Sequence, residues 1–137
     1  MFMLRQEHMT MRISQEQGFI DWYVNEFMPE HLTIFHESFN KEDLYRMVRN
    51  GRKDAIACGF DDPSSQVHFV TFMWKIGANF YQFPGFKEIA CTTEQTAPER
   101  IERFYNEITD AQRNYAIDKT NDRYWFPETM NRGGIIL

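Results

Sequence analysis

Apolar residues recur at helical spacing through most of the chain, and helix-starting and helix-stopping residues punctuate them. Ser14 opens the pattern as an N-cap, with Gln17 three residues on as the second half of a capping box. Phe19, Ile20, Tyr23, Val24 and Phe27 follow on one face, which predicts a helix over about 15–28. Pro29 lacks the N–H that a helix interior needs, so it either kinks this helix or opens the next turn. Leu32, Ile34, Phe35 and Phe39 carry the apolar run into a short second helix.

Asn40 caps the next segment, with Asp43 in its first turn, where a carboxylate favours the helix dipole. Leu44, Val48, Gly51, Ala55 and Cys58 share one face, and Arg46, Arg49, Arg52 and Lys53 mostly lie on others. Asn50-Gly51 is a turn-type pair inside this pattern, but Gly51 on the apolar face reads as close helix packing. Gly59 is a C′ stop. Asp62-Pro63 is an N-cap followed by Pro at the first helical position. From Val67 to Ile76 the residues are apolar nearly all round, which suits the central helix of a bundle. The β-branched and aromatic content would also suit a strand; the Asp-Pro-Ser-Ser-Gln opening favours the helix.

Gly77 to Gly85 has the texture of a loop. Gly77 or Asn79 can end the preceding helix, and Pro84-Gly85 is a turn pair. A short helix over Phe86 to Cys91 follows. Thr96 and Glu99 form a capping box, with Pro98 in the first turn, and Ile101, Phe104, Tyr105, Ile108, Ala111 and Tyr115 stripe a last long helix over about 97–117. Residues 118–137 lack periodicity. The expected architecture is all-α: a leader at 1–13, one small bundle of about four to five helices at 14–118, and an irregular aromatic C-terminal tail at 119–137 that packs on the domain or on a partner.

A length of 137 residues fits one domain that buries roughly two thirds of its unfolded surface. Composition adds an aromatic excess, with 13 Phe, 6 Tyr and 3 Trp making 16% of the chain. Helical spacing assigns most of these rings to a core. Phe80, Tyr81, Phe83 and Phe86 in the loop, and Tyr124, Trp125 and Phe126 in the tail, follow no helix period. They must fold back onto the bundle or meet a partner, and such rings are favoured interface anchors.

A formal charge of −5 argues against nucleic acid, whose binders carry a basic excess on one face. Within that acidity, Arg46, Arg49, Arg52 and Lys53 form a local basic cluster: a solvated face in the bland reading, a contact for an acidic protein partner in the sharper one. The N-terminus has no signal-peptide pattern. The longest apolar stretch, Phe69 to Phe83, is too short and too broken by polar residues to span a bilayer. Cys58 and Cys91 stand at no metal-ligand spacing and read as reduced thiols. A soluble, cytoplasmic protein is therefore expected.

Catalytic chemistry is thinly represented. His8, His31, His36 and His68 fall in no ligand spacing and read as surface or helix-end histidines, so no metal site is expected. Cys58 with His68 could form a thiol–base pair, but Cys58 falls on an apolar face, where inert packing is the simpler reading. Carboxylate pairs such as Asp61-Asp62 and Glu99/Glu102 fit capping and solvated faces. No phosphate-cradling or nucleophile-elbow motif occurs, so neither a catalytic residue nor a cofactor is assigned.

The order of several short motifs resembles a group of small all-helical bacterial proteins encoded beside type VI secretion effectors, their spike proteins and their adaptor chaperones. The chain has Met11-Arg12-Ile13-Ser14 at its opening, then Met28-Pro29-Glu30-His31 as a break after the first helix. A basic helix follows, running from Val48-Arg49-Asn50-Gly51 to Cys58-Gly59. After it come Gly77-Ala78-Asn79-Phe80 with Pro84-Gly85-Phe86, and finally Arg100-Ile101-Glu102-Arg103-Phe104. The similarity spans about residues 11–117. The loop departs from the family pattern, with Gln82-Phe83-Pro84-Gly85-Phe86 where members often have an Asp-Pro and a Pro-Trp. The resemblance implies a non-enzymatic, co-chaperone-like adaptor that binds a neighbouring effector or its loading chaperone, with an immunity protein that occludes a cognate toxin as the alternative. The expected partner-binding residues are Phe80, Tyr81, Phe83, Phe86, Tyr124, Trp125 and Phe126, with Arg49 and Arg52 from the basic helix. A small enzyme built around His68 and nearby carboxylates is the reading from another class.

Overall fold

A computed structural model describes residues 13–129. The leader before Ile13 and the residues after Thr129 lie outside the described residues. Among those described there are eight α-helices, five of seven residues or more, and no strands, so the fold is all-α.

The first helix, α1 (Glu16–Trp22), starts one residue later than expected. Gln15 stands at the N-cap without a side-chain cap bond, and the predicted partner Gln17 instead donates to Asp21 at 2.9 Å. The chain then widens into a π-turn over Tyr23–Phe27 before α2 (Met28–His31). Its cause is local: the Met28 N–H reaches back five residues to the Tyr23 carbonyl, just ahead of Pro29, which has no N–H to give. The helical path thus passes Pro29 with its inward side chains still facing the core. Leu32 breaks it, and α3 (Thr33–Ser38) follows.

The two central helices are α4 (Lys41–Ala57) and α5 (Pro63–Lys75). Both predicted caps are in place: Asn40 accepts from the Asp43 N–H at 2.8 Å, and Asp62 accepts from the Ser65 N–H at 3.0 Å. Every residue of α5 from Ser65 to Trp74 is buried, as an all-round apolar helix requires. Gly51 lets α4 lie close to it, because a Cβ there would stand 3.2 Å from Met73 Sδ and 3.3 Å from Val70 Cγ2. The chain leaves α4 through Gly59 at φ +88°, a left-handed stop that glycine adopts freely.

After α5 come a 3-10 turn (Phe80–Gln82), α6 (Phe86–Ala90), α7 (Ala97–Asn106), α8 (Asp110–Lys119) and a second 3-10 turn (Asp122–Trp125). The predicted last long helix is therefore two. Thr109 caps α8 by accepting from the Gln112 N–H at 3.1 Å, while Gln112 accepts from the Thr109 N–H at 3.0 Å. That capping box was legible in the sequence, but the apolar register of Ile108, Ala111 and Tyr115 carried the expectation through it. The break between the two helices is visible in packing: only Ala116 of α8 is buried, and Tyr115 is exposed.

Two residues outside the 14–118 segment take part in the core, one at the end of the leader and one in the tail. Ile13 is fully buried, and Trp125 is packed into the core cluster.

Arg100 holds the bundle together from within. Its side chain is buried, and its guanidinium donates to the carbonyls of Ala90 at 2.8 Å, Gly59 at 2.9 Å and Cys58 at 3.1 Å. Those carbonyls are the unpaired C-terminal ends of α4 and α6, where a cation is favoured by the helix dipole. The same guanidinium lies 4.2 Å from the centroid of the Phe60 ring.

Candidate functional site

Three regions carry the candidate residues, and the first is the 77–86 loop. Asn79 is buried and fixes the loop, its Oδ1 accepting from Thr120 Oγ1 at 2.7 Å and from the Asn121 N–H at 3.0 Å. Gly77 and Gly85 are where the α8 region presses closest. A Cβ at Gly77 would fall 2.1 Å from Thr120 Oγ1, and one at Gly85, which has φ +89°, would fall 2.6 Å from Gln112 Cδ.

Held this way, the loop turns its rings inward. Phe80 and Phe86 are buried beside Phe72 and Phe104, with Phe80 and Phe86 centroids 5.3 Å apart. Of the two outcomes expected for these rings, folding back is the one adopted. Tyr81 and Phe83 are half-buried. The Tyr81 hydroxyl donates to Asp54 at 3.4 Å and Phe83 meets Tyr115 edge-on, so both also have partners within the chain.

Tyr81 borders a cleft of about 650 Å³ with Cys58, Gln82, Lys87 and Cys91. Burial pushes the Asp54 carboxyl up to about 6, against the Tyr81 hydrogen bond that lowers it. Burial also pushes the Cys58 thiol up to about 11, reinforced by the Asp54 charge. A thiol so raised is a poor nucleophile at neutral pH, which fits inert packing.

The second region is the basic face of α4. Arg49 Nε lies 3.3 Å from Glu16, and Arg52 lies 4.0 Å from the same carboxylate while its Nη2 donates to the Ser14 carbonyl at 3.3 Å. Arg52 also sits 5.7 Å from the Phe19 ring centroid. Arg46 pairs with Glu128 and covers the Phe126 ring at 4.7 Å. The three arginines thus bind the chain's own first helix and its 126–128 stretch, while Lys53 is exposed.

The third region is the tail. Trp125 is buried against Trp74, with centroids 4.4 Å apart, and Asn50 Nδ2 donates to its carbonyl at 2.9 Å. Tyr124 and Phe126 are half-buried against the core. Here too the rings fold back.

His68 departs from expectation. It is buried in α5 rather than on the surface, its Nδ1 2.9 Å from the Tyr105 hydroxyl, and burial holds its imidazole down at about 4. Among the described residues, no group of three or more His, Cys, Asp or Glu side chains could hold a metal ion, and no helix is long and apolar enough to cross a membrane.

What stays outside is a different apolar surface. None of the residues of α3 is buried, Ile34 is 78% exposed and Phe39, just after the helix, is 40% exposed. Phe35 and Phe39 lean on Trp74, at 5.3 and 5.9 Å between centroids, and so join this patch to the Trp74–Trp125 stack. The sequence held a signal that the apolar run obscured. A helix confined between Pro29 and Asn40 has barely two turns, too few to bury a full stripe. No family model, curated protein or solved structure matches the chain.

Proposed function

We propose that this protein is a non-enzymatic accessory factor of a bacterial type VI secretion effector locus, an adaptor of co-chaperone type that works by binding a neighbouring effector or its loading chaperone. The locus assignment draws on the order of the motifs between residues 11 and 117. The binding role rests on one observation: α3, none of whose residues is fully buried, presents Ile34 to solvent at 78% exposure, with Phe39 just after it at 40%. Apolar side chains held outward on a preformed helix suit capture of apolar surface on another protein.

The test is co-purification of the tagged full chain with the products of adjacent genes. Retention of one of them at micromolar concentration is expected. Failure to retain any overturns the reading. A net charge of −5 also suits an immunity protein masking a basic toxin. Rescue of growth on co-expression with the neighbouring toxin would assign that role, and continued killing would remove it.

A further inference from the structure

We propose that the α3 surface takes one kind of partner, a basic amphipathic helix of another protein. This deepens the adaptor reading and rests on it.

The surface is preformed. Thr33 Oγ1 donates to the Pro29 carbonyl at 2.8 Å and Ser38 Oγ to the Ile34 carbonyl at 2.6 Å, which ties the short helix to itself and to the turn before it. Phe35 and Phe39, four residues apart, anchor it on Trp74. Ile34, one step round the helix from Phe35, is left 78% exposed.

The rim sets the sign of the partner. Between Pro29 and Asp43 the chain carries four carboxylates, Glu30, Glu37, Glu42 and Asp43, against the single ammonium of Lys41. Glu37 stands three residues from Ile34 on the same face of α3. Glu30, just before this helix, is 76% exposed at its side chain, and its contact with His31 is a loose 3.8 Å. The nearby arginines do not offset these charges, because Arg46, Arg49 and Arg52 are paired with Glu128 and Glu16.

An apolar centre with an acidic rim is matched by an apolar stripe flanked by Lys or Arg, the composition of a basic amphipathic helix. The same rim disfavours the other occupants. A two-fold dimer through this face would bring two like-charged acidic stretches together. An anionic lipid surface would be repelled by Glu37 beside Ile34 and by the other carboxylates of this stretch.

The experiment uses the full chain and a fluorescein-labelled peptide of about eighteen residues, built from Leu and Lys at amphipathic spacing, read by anisotropy. A counterpart with Glu in place of Lys is the control. Micromolar binding of the Lys peptide is expected, roughly tenfold tighter than the Glu peptide and weakened at about 0.5 M salt. Ile34→Ser and Glu37→Lys should each weaken it roughly fivefold or more while the thermal midpoint stays put, since both positions are exposed. Lack of binding at roughly 100 μM peptide overturns the proposal, as does equal binding of the two peptides or indifference to Ile34→Ser. So does attachment to phosphatidylglycerol vesicles, or a dimer in solution that Ile34→Ser disperses. The two readings fail separately. A gene-neighbour product held equally by the wild type and Ile34→Ser removes this surface but keeps the adaptor role. Peptide binding that depends on Ile34, with no gene-neighbour product retained, keeps the surface and removes the locus assignment.

Discussion

Replacing Arg100 with Met should unfold the protein at markedly lower denaturant, and the structure sets the size of the effect. Methionine keeps much of the apolar stem over Phe60 and removes the guanidinium that serves the carbonyls of Cys58, Gly59 and Ala90. A hydrogen bond to a charged group is worth about 1.5–3 kcal/mol net. Three such bonds would sum to more than twice that, but burying the cation is itself costly, and Arg100 already leaves its buried Nε without a partner. The expected net loss is about 3 kcal/mol, arising mostly from carbonyls left dry at two helix ends. With a urea m-value of about 1.5–2 kcal/mol/M, the midpoint should fall by roughly 1.5–2 M at unchanged slope, read by circular dichroism at the helical band. Arg100→Lys should fall between, since one ammonium cannot reach all three carbonyls in the fork geometry. A loss below about 1 kcal/mol for Arg100→Met would refute the reasoning, because it would mean that water satisfies those helix ends as well as the guanidinium does.

Gly77→Ala should destabilise by about 2 kcal/mol or more, because the new Cβ would stand 2.1 Å from Thr120 Oγ1; Thr120→Gly in the same chain should recover part of it, measured by the same urea titration. Trp125→Ala should cost about 3–5 kcal/mol and weaken the near-ultraviolet dichroism of the Trp74 pair; a loss near zero would place the 122–125 turn outside the cooperative fold. Asp54 titrates at about 6 when folded against 3.8 in the open chain, so the folded state loses stability as pH rises through that window. Asp54→Asn should therefore raise the thermal midpoint at pH 7 and leave it nearly unchanged at pH 4. His68 works in the opposite sense. Held down at about 4 by burial, it stays neutral where the unfolded chain takes up a proton, so stability falls as pH drops below about 6.5, and His68→Gln should flatten that decline.

Local chemistry read well from the sequence. Asn40, Asp62 and the Thr96–Glu99 box start their helices, Gly59 stops one and Gly51 admits a close neighbour, because each of these roles is decided within a few residues or by one face. Where two local signals competed, as in the Thr109–Gln112 box against the stripe through Ile108, the periodic one misled. The candidate site was less legible, since exposure is settled by distant contacts. Phe80 is covered by Phe104, Arg52 is occupied by Glu16, and Trp125 is met by Trp74. Nothing near those residues in the sequence announces their partners. Arg100 is the clearest case: on its own helix it is one more basic residue, and only the meeting of α4 and α6 makes it a buried cap. Ile34 went the other way, an apolar residue in an apolar run whose helix proved too short to hide it.

The closing of the tail over the bundle also matters for a chain that stops short. Trp74 and Arg46 receive their cover from Trp125, Phe126 and Glu128, the last of these 82 residues along the chain from Arg46. A chain that ends before residues 122–128 therefore leaves the Trp125 side of Trp74 uncovered, next to the already exposed Phe39. Its apolar end is larger than in the finished molecule, and a chain truncated in the 119–122 stretch should be the form that aggregates or recruits a chaperone.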